Sequence, residues 1–159
     1  MQRTEIVKIH KAPEQYAGQT VTVCGWVRTI RDSKVIGFME INDGSSFKGL
    51  QTVFEEKKLA DYKAVAGLNV GTAVRVTGTL ILTPQANQPF EINAETVEVL
   101  GMSAPDYPLQ KKRHSLEFLR TMGHLRPRTN VLGAAFRVRS VAAYAIHSFF
   151  MDNGFVYAH

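Results

Sequence analysis

Hydrophobic and polar residues alternate over much of the first hundred positions of the chain, a period that is typical of β-strands. The clearest alternation runs from Val21 to Ile41 and predicts two strands, at about 20–30 and 35–42. The segment between them is polar and basic, which predicts a turn. This part of the chain is therefore expected to form a hairpin.

The hairpin is expected to have one face in the core and one outer face, because successive side chains of a strand point to opposite sides. If the valines and Met39 form the core, Phe38 lies on the outer face, near Arg28 and Arg31. An outward aromatic ring beside arginines is how small sheets stack unpaired bases. A ring covered by a loop or a helix would give the same pattern, since large aromatic residues are usually buried.

Further elements follow along the chain. The pattern predicts a tight turn at 42–45, a strand at about 47–54, a helix that Gly67 ends, and strands at 72–82 and about 90–100. In the last strand the alternation changes phase between Ala94 and Val97, and a bulge near Glu95 would reconcile the two halves. Three strands, a helix and two strands are the element order of the OB-fold, a five-stranded barrel that binds oligonucleotides. Other small barrels share parts of this order.

The last third of the chain has a different character. Residues 103–129 contain three prolines and no clean period, as a hinge or linker does. From Val131 to Asp152 apolar residues recur every three or four positions, which predicts a helix buried on more than one side, with Gly154 as its cap. Residues 155–158 are expected to be a strand. A helix and part of a strand cannot form a domain, so the chain is expected to be a piece of a longer protein.

Composition narrows the class of protein. The chain is 45% hydrophobic and 21% charged, which is typical of globular proteins, and Cys24 is its only cysteine. A disulfide framework is therefore excluded, and the five histidines show no metal-ligand spacing. We expect no signal peptide, because charged residues interrupt any apolar run near the start of the sequence, and no apolar run reaches the roughly 18 residues of a membrane span. We expect a cytoplasmic protein without a membrane partner and without a bound metal.

Charge is unevenly distributed. Residues 1–102 hold 11 basic and 11 acidic residues, whereas residues 103–159 hold 8 basic and 3 acidic ones, including the run Lys111–His114. Clustered basic residues drive phosphate binding, although a solvated basic linker would show the same composition. We therefore expect the N-terminal barrel alone to bind RNA weakly and the basic segment to add affinity.

Several segments carry a resemblance to a known family. They are VTVCGWVRTIRDSK (21–34), INDGSSF (41–47), PFEINAETVEVLG (89–101) and KRHSLEFLRTMGHLRPRTNVLGAAFRVRS (112–140). In combination they resemble the asparaginyl-tRNA synthetases, of the aspartyl/asparaginyl/lysyl subgroup of class II. The resemblance covers nearly the whole chain, and the HLRPRT and FRVRS segments are its most specific part. The short loop at 83–89 also looks more like an asparaginyl enzyme than a bacterial aspartyl one.

The resemblance implies a mainly β domain organisation in three parts. Residues 1–102 would be an OB-fold anticodon-binding domain, 103–129 a hinge, and 130–159 the helix and strand of class II motif 1, which opens an α+β catalytic domain and forms the homodimer interface. Motifs 2 and 3, which bind ATP, Mg²⁺ and the amino acid, are not in this sequence. We therefore expect no catalytic residues and no cofactor in this chain, although the full-length ligase would use ATP and Mg²⁺.

The resemblance also implies roles for individual residues toward a tRNA with a GUU anticodon. Phe38 would stack on a base, Gln51 would read the central uridine, and Glu91 would read another base. Asn93 or Glu95 could take the place of Glu91, because a bulge makes the register of that strand uncertain.

Basic residues complete the predicted set. Arg31 matches a residue that touches the anticodon, and Arg28 would share the face of Phe38. Arg126 and Arg128 would hold the hinge against the catalytic domain or the tRNA backbone, or they form structural salt bridges. Arg28 and Arg31 could equally be ordinary surface charges.

Other functions agree with the same residues. A non-discriminating aspartyl-tRNA synthetase would share the barrel, because the residues that select the amino acid lie elsewhere. A stand-alone OB-fold module that binds single-stranded nucleic acid or tRNA would have no ligase activity. A paralogue used in amino-acid synthesis is a further alternative.

Overall fold

The computed structural model describes residues 3–158, which form two compact units that divide between Arg113 and His114. The first unit comprises α1 (Ile6–Lys11), a 3₁₀ turn (Pro13–Gln15), β1 (Thr20–Asp32), β2 (Ile36–Asn42), β3 (Leu50–Glu55), α2 (Tyr62–Ala66), β4 (Ala73–Leu82) and β5 (Phe90–Gly101). The second comprises α3 (Leu116–Arg120), a 3₁₀ turn (Arg126–Arg128) and α4 (Asn130–Asp152).

The five strands close into a barrel in the order β1-β2-β3-β5-β4. Neighbouring strands are antiparallel except β3 and β5, which run parallel and pair at Thr52–Ile92 and Val53–Asn93. The predicted OB-fold barrel is thus confirmed. Two of its elements are shorter than predicted, because β3 begins at Leu50 and α2 has only five helical residues.

The loop at 42–49, whose last residues were predicted to belong to β3, contacts α1 instead. The side-chain amide of Asn42 donates to the carbonyl of Ser46 at 3.1 Å, and the carboxylate of Asp43 accepts from the N–H of Ile6 at 2.9 Å. The hydroxyl of Ser45 accepts from the N–H of Val7 at 3.0 Å. The bonds from Asp43 and Ser45 hold the first turn of α1, and pairing with β2 begins only at Leu50.

The core confirms the predicted alternation. The buried residues of the strands are separated by single outward residues, and two isoleucines of α1 complete the cluster. Its members with no exposed surface include Ile6, Ile9, Val23, Met39, Ile41, Leu50, Phe54, Val74, Val76, Leu80 and Ile92. Burying such side chains stabilises the barrel by roughly 1.5–3 kcal/mol each.

The strand pairing shifts register at three places. Thr77 pairs with Thr96 and Gly78 with Ala94, so Glu95 is the extra residue, as the phase change predicts. A Cβ at Gly78 would lie 2.2 Å from the carbonyl oxygen of Asn93, so no larger residue fits beside this bulge. The other two shifts, at Arg28 in β1 and at Leu100 near the end of β5, were not predicted.

The second unit confirms one predicted helix and overturns two expectations. Helix α4 spans the predicted residues, and Gly154 ends it with φ 82°, while the N–H of Phe155 donates to the carbonyl of Phe150 at 3.0 Å. No residue of α4 is buried, so its expected burial is wrong. The strand expected at 155–158 is also wrong, because the described part of this unit has no strand with which it could pair.

Candidate nucleic-acid interface

Strand pairing collects most of the predicted base-reading residues on one outer surface. Arg31 lies opposite Phe38, Phe38 lies opposite Val53, and Val53 lies beside Asn93, which makes one row across four strands. A second row runs from Thr29 to Glu40 and Gln51 and continues to Glu91 through a side-chain hydrogen bond. We call this surface, defined by Arg31, Phe38, Glu40, Gln51, Val53, Glu91 and Asn93, the stacking face.

An arginine and an aromatic ring form the first feature of the stacking face. The guanidinium carbon of Arg31 lies 5.0 Å from the centroid of the Phe38 ring, within the range of a cation–π contact. Phe38 is half-buried and lies opposite in phase to the buried Met39, so it does not belong to the core. The ring and the cation together suit a base with its adjoining phosphate.

A paired amide and carboxylate form the second feature. Nε2 of Gln51 donates a hydrogen bond of 2.8 Å to Oε2 of Glu91 across the parallel strands. This bond fixes the orientation of the amide and leaves its carbonyl oxygen and second N–H for other partners. An acceptor and a donor at fixed positions match the Watson–Crick edge of a base in single-stranded RNA.

The unpredicted bulge changes the position of Arg28. Val27 pairs with Ile41 and Thr29 with Glu40, which leaves Arg28 as the extra residue between them. Simple alternation, which puts it on the side of Phe38, therefore no longer assigns it to either face. The only sequence signal was the apolar Ile30, which packs against the core in the phase opposite to Val27.

The two alternatives to Glu91 occupy different surroundings. Asn93 lies on the stacking face, and its buried Oδ1 has no hydrogen-bond partner among the described residues. Glu95 is the bulge residue of β5 and accepts a hydrogen bond of 3.0 Å from the hydroxyl of Thr79. Glu91 is the one that contacts Gln51.

The turn between β1 and β2 contains a group that the sequence reasoning missed. Oδ1 of Asp32 accepts hydrogen bonds from the hydroxyl of Tyr62 at 2.5 Å and from the N–H of Lys34 at 2.8 Å. These two bonds lower the pKa of Asp32. Burial, and then the Asp32 carboxylate, raise the pKa of Tyr62 to about 12, so its hydroxyl keeps its proton at neutral pH.

A second outer surface of the barrel pairs its polar groups internally. The hydroxyls of Thr22 and Thr77 are 2.9 Å apart, and Arg75 forms an ion pair with Glu98. Cys24 lies opposite Arg75 in the strand pairing. We call this surface, defined by these five residues, the ion-paired face.

Arg126 and Arg128 form the 3₁₀ turn of the second unit, before α4. The guanidinium carbon of Arg126 lies 5.7 Å from the ring centroid of Phe136 in that helix. The contact that the structure gives Arg126 is thus with an aromatic ring of its own unit.

Residues 3–158 contain neither a cluster of metal ligands nor a membrane-spanning helix. No group of three or more histidine, cysteine, aspartate or glutamate side chains could hold a metal ion. No helix in this range is long and apolar enough to cross a membrane.

A closed five-stranded barrel with this strand order defines an OB-fold protein. The aromatic ring and the arginine on the outer surface of its strands are features of a nucleic-acid binder. Its sequence agrees, since residues 21–100 match the family described as OB-fold nucleic acid binding domain. The chain belongs to this family.

Sequence relatives extend the likeness beyond the barrel. Over all 159 residues the chain is 57% identical to an asparagine–tRNA ligase of Acetivibrio thermocellus and 54% identical to one of Bacillus cereus. It spans 34% of the length of each of these curated relatives.

Solved structures share the fold. Asparaginyl-tRNA synthetase from Pyrococcus horikoshii, complexed with asparaginyl-adenylate, superposes with a TM-score of 0.86 at 21% identity, over 100% of this chain and 37% of that one. Aspartyl tRNA synthetase from Entamoeba histolytica gives a TM-score of 0.82 at 18% identity, over 100% of this chain and 39% of that one.

Proposed function

We propose that this chain is the tRNA-recognising part of an asparagine–tRNA ligase, and that its stacking face binds the anticodon loop. The observation that carries the proposal is the Arg31–Phe38 contact beside the Gln51–Glu91 hydrogen bond. The identity of 57% over the whole chain to an asparagine–tRNA ligase supports it.

Each group of the stacking face has a role in this proposal. Phe38 stacks on one base of the loop, a contact worth about 1–3 kcal/mol. Gln51 presents its free amide atoms to the central uridine of a GUU anticodon, while Glu91 holds the amide or contacts a neighbouring base. Arg31 neutralises a phosphate next to the stacked base, and Arg28 adds positive charge at the adjacent bulge.

The rest of the chain belongs to other parts of the ligase in this proposal. Residues 1–102 are the anticodon-binding domain, 103–129 a hinge in which Arg126 and Arg128 contact the catalytic domain or the tRNA backbone, and α4 the first helix of the catalytic domain. Exposed apolar side chains such as Val138, Val141 and Phe149 give α4 a surface for the homodimer of the whole enzyme. ATP and Mg²⁺ would bind outside this chain, and the ligase would act in the cytoplasm.

Binding of the chain to anticodon stem-loops tests the proposal. The loops carry GUU, GUC or a scrambled sequence, and Phe38→Ala and Gln51→Ala are measured beside the wild type. We expect a preference for GUU over the scrambled loop that both substitutions weaken. Gln51→Ala should leave the discrimination between GUU and GUC unchanged, because these two loops share the central uridine. Equal, salt-sensitive binding to all three loops, indifferent to Phe38, would instead indicate a general RNA-binding surface and refute the anticodon assignment.

A further inference from the structure

The turn between β1 and β2 has an unusual residue at its tip. Lys34 has φ 73°, and it is the only described residue other than glycine with a positive φ. Side chains rarely adopt this left-handed conformation, which favours glycine and, less strongly, asparagine. A lysine in such a position calls for an explanation outside the turn itself.

Three contacts hold the tip in place. Oδ1 of Asp32 accepts the N–H of Lys34, and the hydroxyl of the buried Tyr62 ties the same oxygen to α2. On the far side, the carbonyl of Val35 accepts the N–H of Glu56, just beyond the end of β3, at 3.0 Å. The tip is therefore anchored to both neighbouring elements, so the direction in which Lys34 leaves the backbone is set before any ligand binds.

The tip lies in line with the stacking face. Asp32 pairs with Gly37 and Arg31 with Phe38, so Lys34 lies at the end of the hairpin, three residues along the strand direction from the row that holds the ring. With a rise of about 3.4 Å per residue, its backbone lies roughly 10 Å from that of Phe38, within reach of a phosphate near the stacked base. Lys34 is exposed, and within residues 3–158 its ammonium group forms no salt bridge.

We propose that Lys34 is a phosphate-binding residue for the RNA strand that stacks on Phe38, and that Asp32 and Tyr62 are positioning residues that aim it. The inference rests on the proposed function of the stacking face and extends it to the turn. A lysine ammonium binds phosphate as a point charge, so this contact adds affinity without sequence preference. Residues 1–102 have no net charge, and Lys34 supplies a local positive charge where the RNA strand would pass.

Lys34→Gly and Lys34→Gln test the charge, with the GUU stem-loop as the probe. Glycine accepts the left-handed backbone, and glutamine keeps most of the side-chain length. For each neutralised phosphate on a single strand, the slope of log K against log salt changes by about 0.7. We expect both variants to bind roughly threefold to tenfold more weakly at low salt, with a slope shallower by about this amount. Lys34→Arg should restore both values, and the preference for GUU should be unchanged.

Tyr62→Phe tests the positioning, because it removes the anchor of Asp32 without changing the charge. It should weaken binding in the wild type and have no further effect in Lys34→Gly, whereas a purely structural role would give the same loss in both backgrounds.

Unchanged affinity and slope in Lys34→Gly and Lys34→Gln would overturn the inference. If Phe38→Ala still weakened binding, the proposed function would stand and only the role of Lys34 would be refuted. If Phe38→Ala also left the affinity unchanged, the proposed function of the stacking face would itself be refuted.

Discussion

The two outer faces of the barrel share strand β1, yet they treat their arginines differently. On the ion-paired face the charge of Arg75 is neutralised by Glu98 on the neighbouring strand. On the stacking face Arg31 lies over the Phe38 ring and, within the described residues, forms no ion pair. Strand alternation predicts only that the side chains of both faces point outward, and it does not distinguish the two faces. The cross-strand partners show that the stacking face keeps a positive charge beside an aromatic ring, which is the arrangement that we propose binds RNA.

Phe38→Ala should have the largest effect of the substitutions on RNA affinity. Loss of one base stack should weaken binding of the GUU stem-loop by about 5–150-fold, which corresponds to 1–3 kcal/mol. Trp26, an aromatic residue of β1 that is 38% exposed and lies outside the stacking face, is the control, and Trp26→Ala should change the affinity less than twofold. Fluorescence titration measures both, and the comparison fails if the two variants lose affinity equally.

Gln51→Ala should affect selectivity more than affinity. Without the amide, discrimination between uridine and cytidine at the centre of the anticodon should fall by about tenfold, the effect of one lost base-edge contact. Glu91→Gln replaces the carboxylate by an amide of similar shape and should produce part of this loss, because the orientation of Gln51 is then less fixed. Retained discrimination in both variants would show that the pair reads no base.

Arg31→Gln and Arg75→Gln form a matched pair with the same change of charge. Arg31→Gln should reduce affinity roughly threefold to tenfold and make the salt slope shallower by about 0.7. Arg75→Gln should leave the slope unchanged, since its charge is already compensated by Glu98. Equal changes of slope in the two variants would mean that net charge, and not the position of the arginine, governs binding.

Asp32→Asn should have the smallest effect, on stability. Because the pKa of Asp32 is lowered by folding, its carboxylate stabilises the folded chain above the ordinary pKa of about 3.9, and this contribution is lost as the pH falls through the lower folded value. The wild type should therefore unfold at a higher temperature than Asp32→Asn at pH 7, with the difference shrinking below about pH 5. A difference that stays constant down to pH 2 would exclude titration of Asp32 as its cause.

The sequence predicted the barrel well because its strands have one buried side, and the period of two is then visible in residues such as Val21, Val23 and Met39. Even the bulge at Glu95 was predicted, since apolar residues flank it in opposite phases. The bulge at Arg28 was missed because Ile30 is the only apolar residue that follows it in β1. One apolar residue in the opposite phase is a weaker signal than the apolar residues on both sides of Glu95.

Contacts distant in sequence were beyond prediction. The bond between Gln51 and Glu91 joins residues 40 positions apart, and that between Tyr62 and Asp32 joins residues 30 apart. Neither follows from a local period. The apolar stripe of α4 correctly predicted a helix, because helix formation follows from a local period. It did not correctly predict burial, because burial depends on other elements.

The most direct test of the account is to map the bound surface. Backbone amide shifts of the full chain would be recorded by NMR during titration with the GUU stem-loop. We expect the large shifts at Arg31, Phe38, Gln51 and Glu91, with Thr22, Thr77 and Glu98 nearly unchanged. Equal shifts on both faces, or larger ones on the ion-paired face, would contradict the claim that the stacking face is the RNA-binding surface.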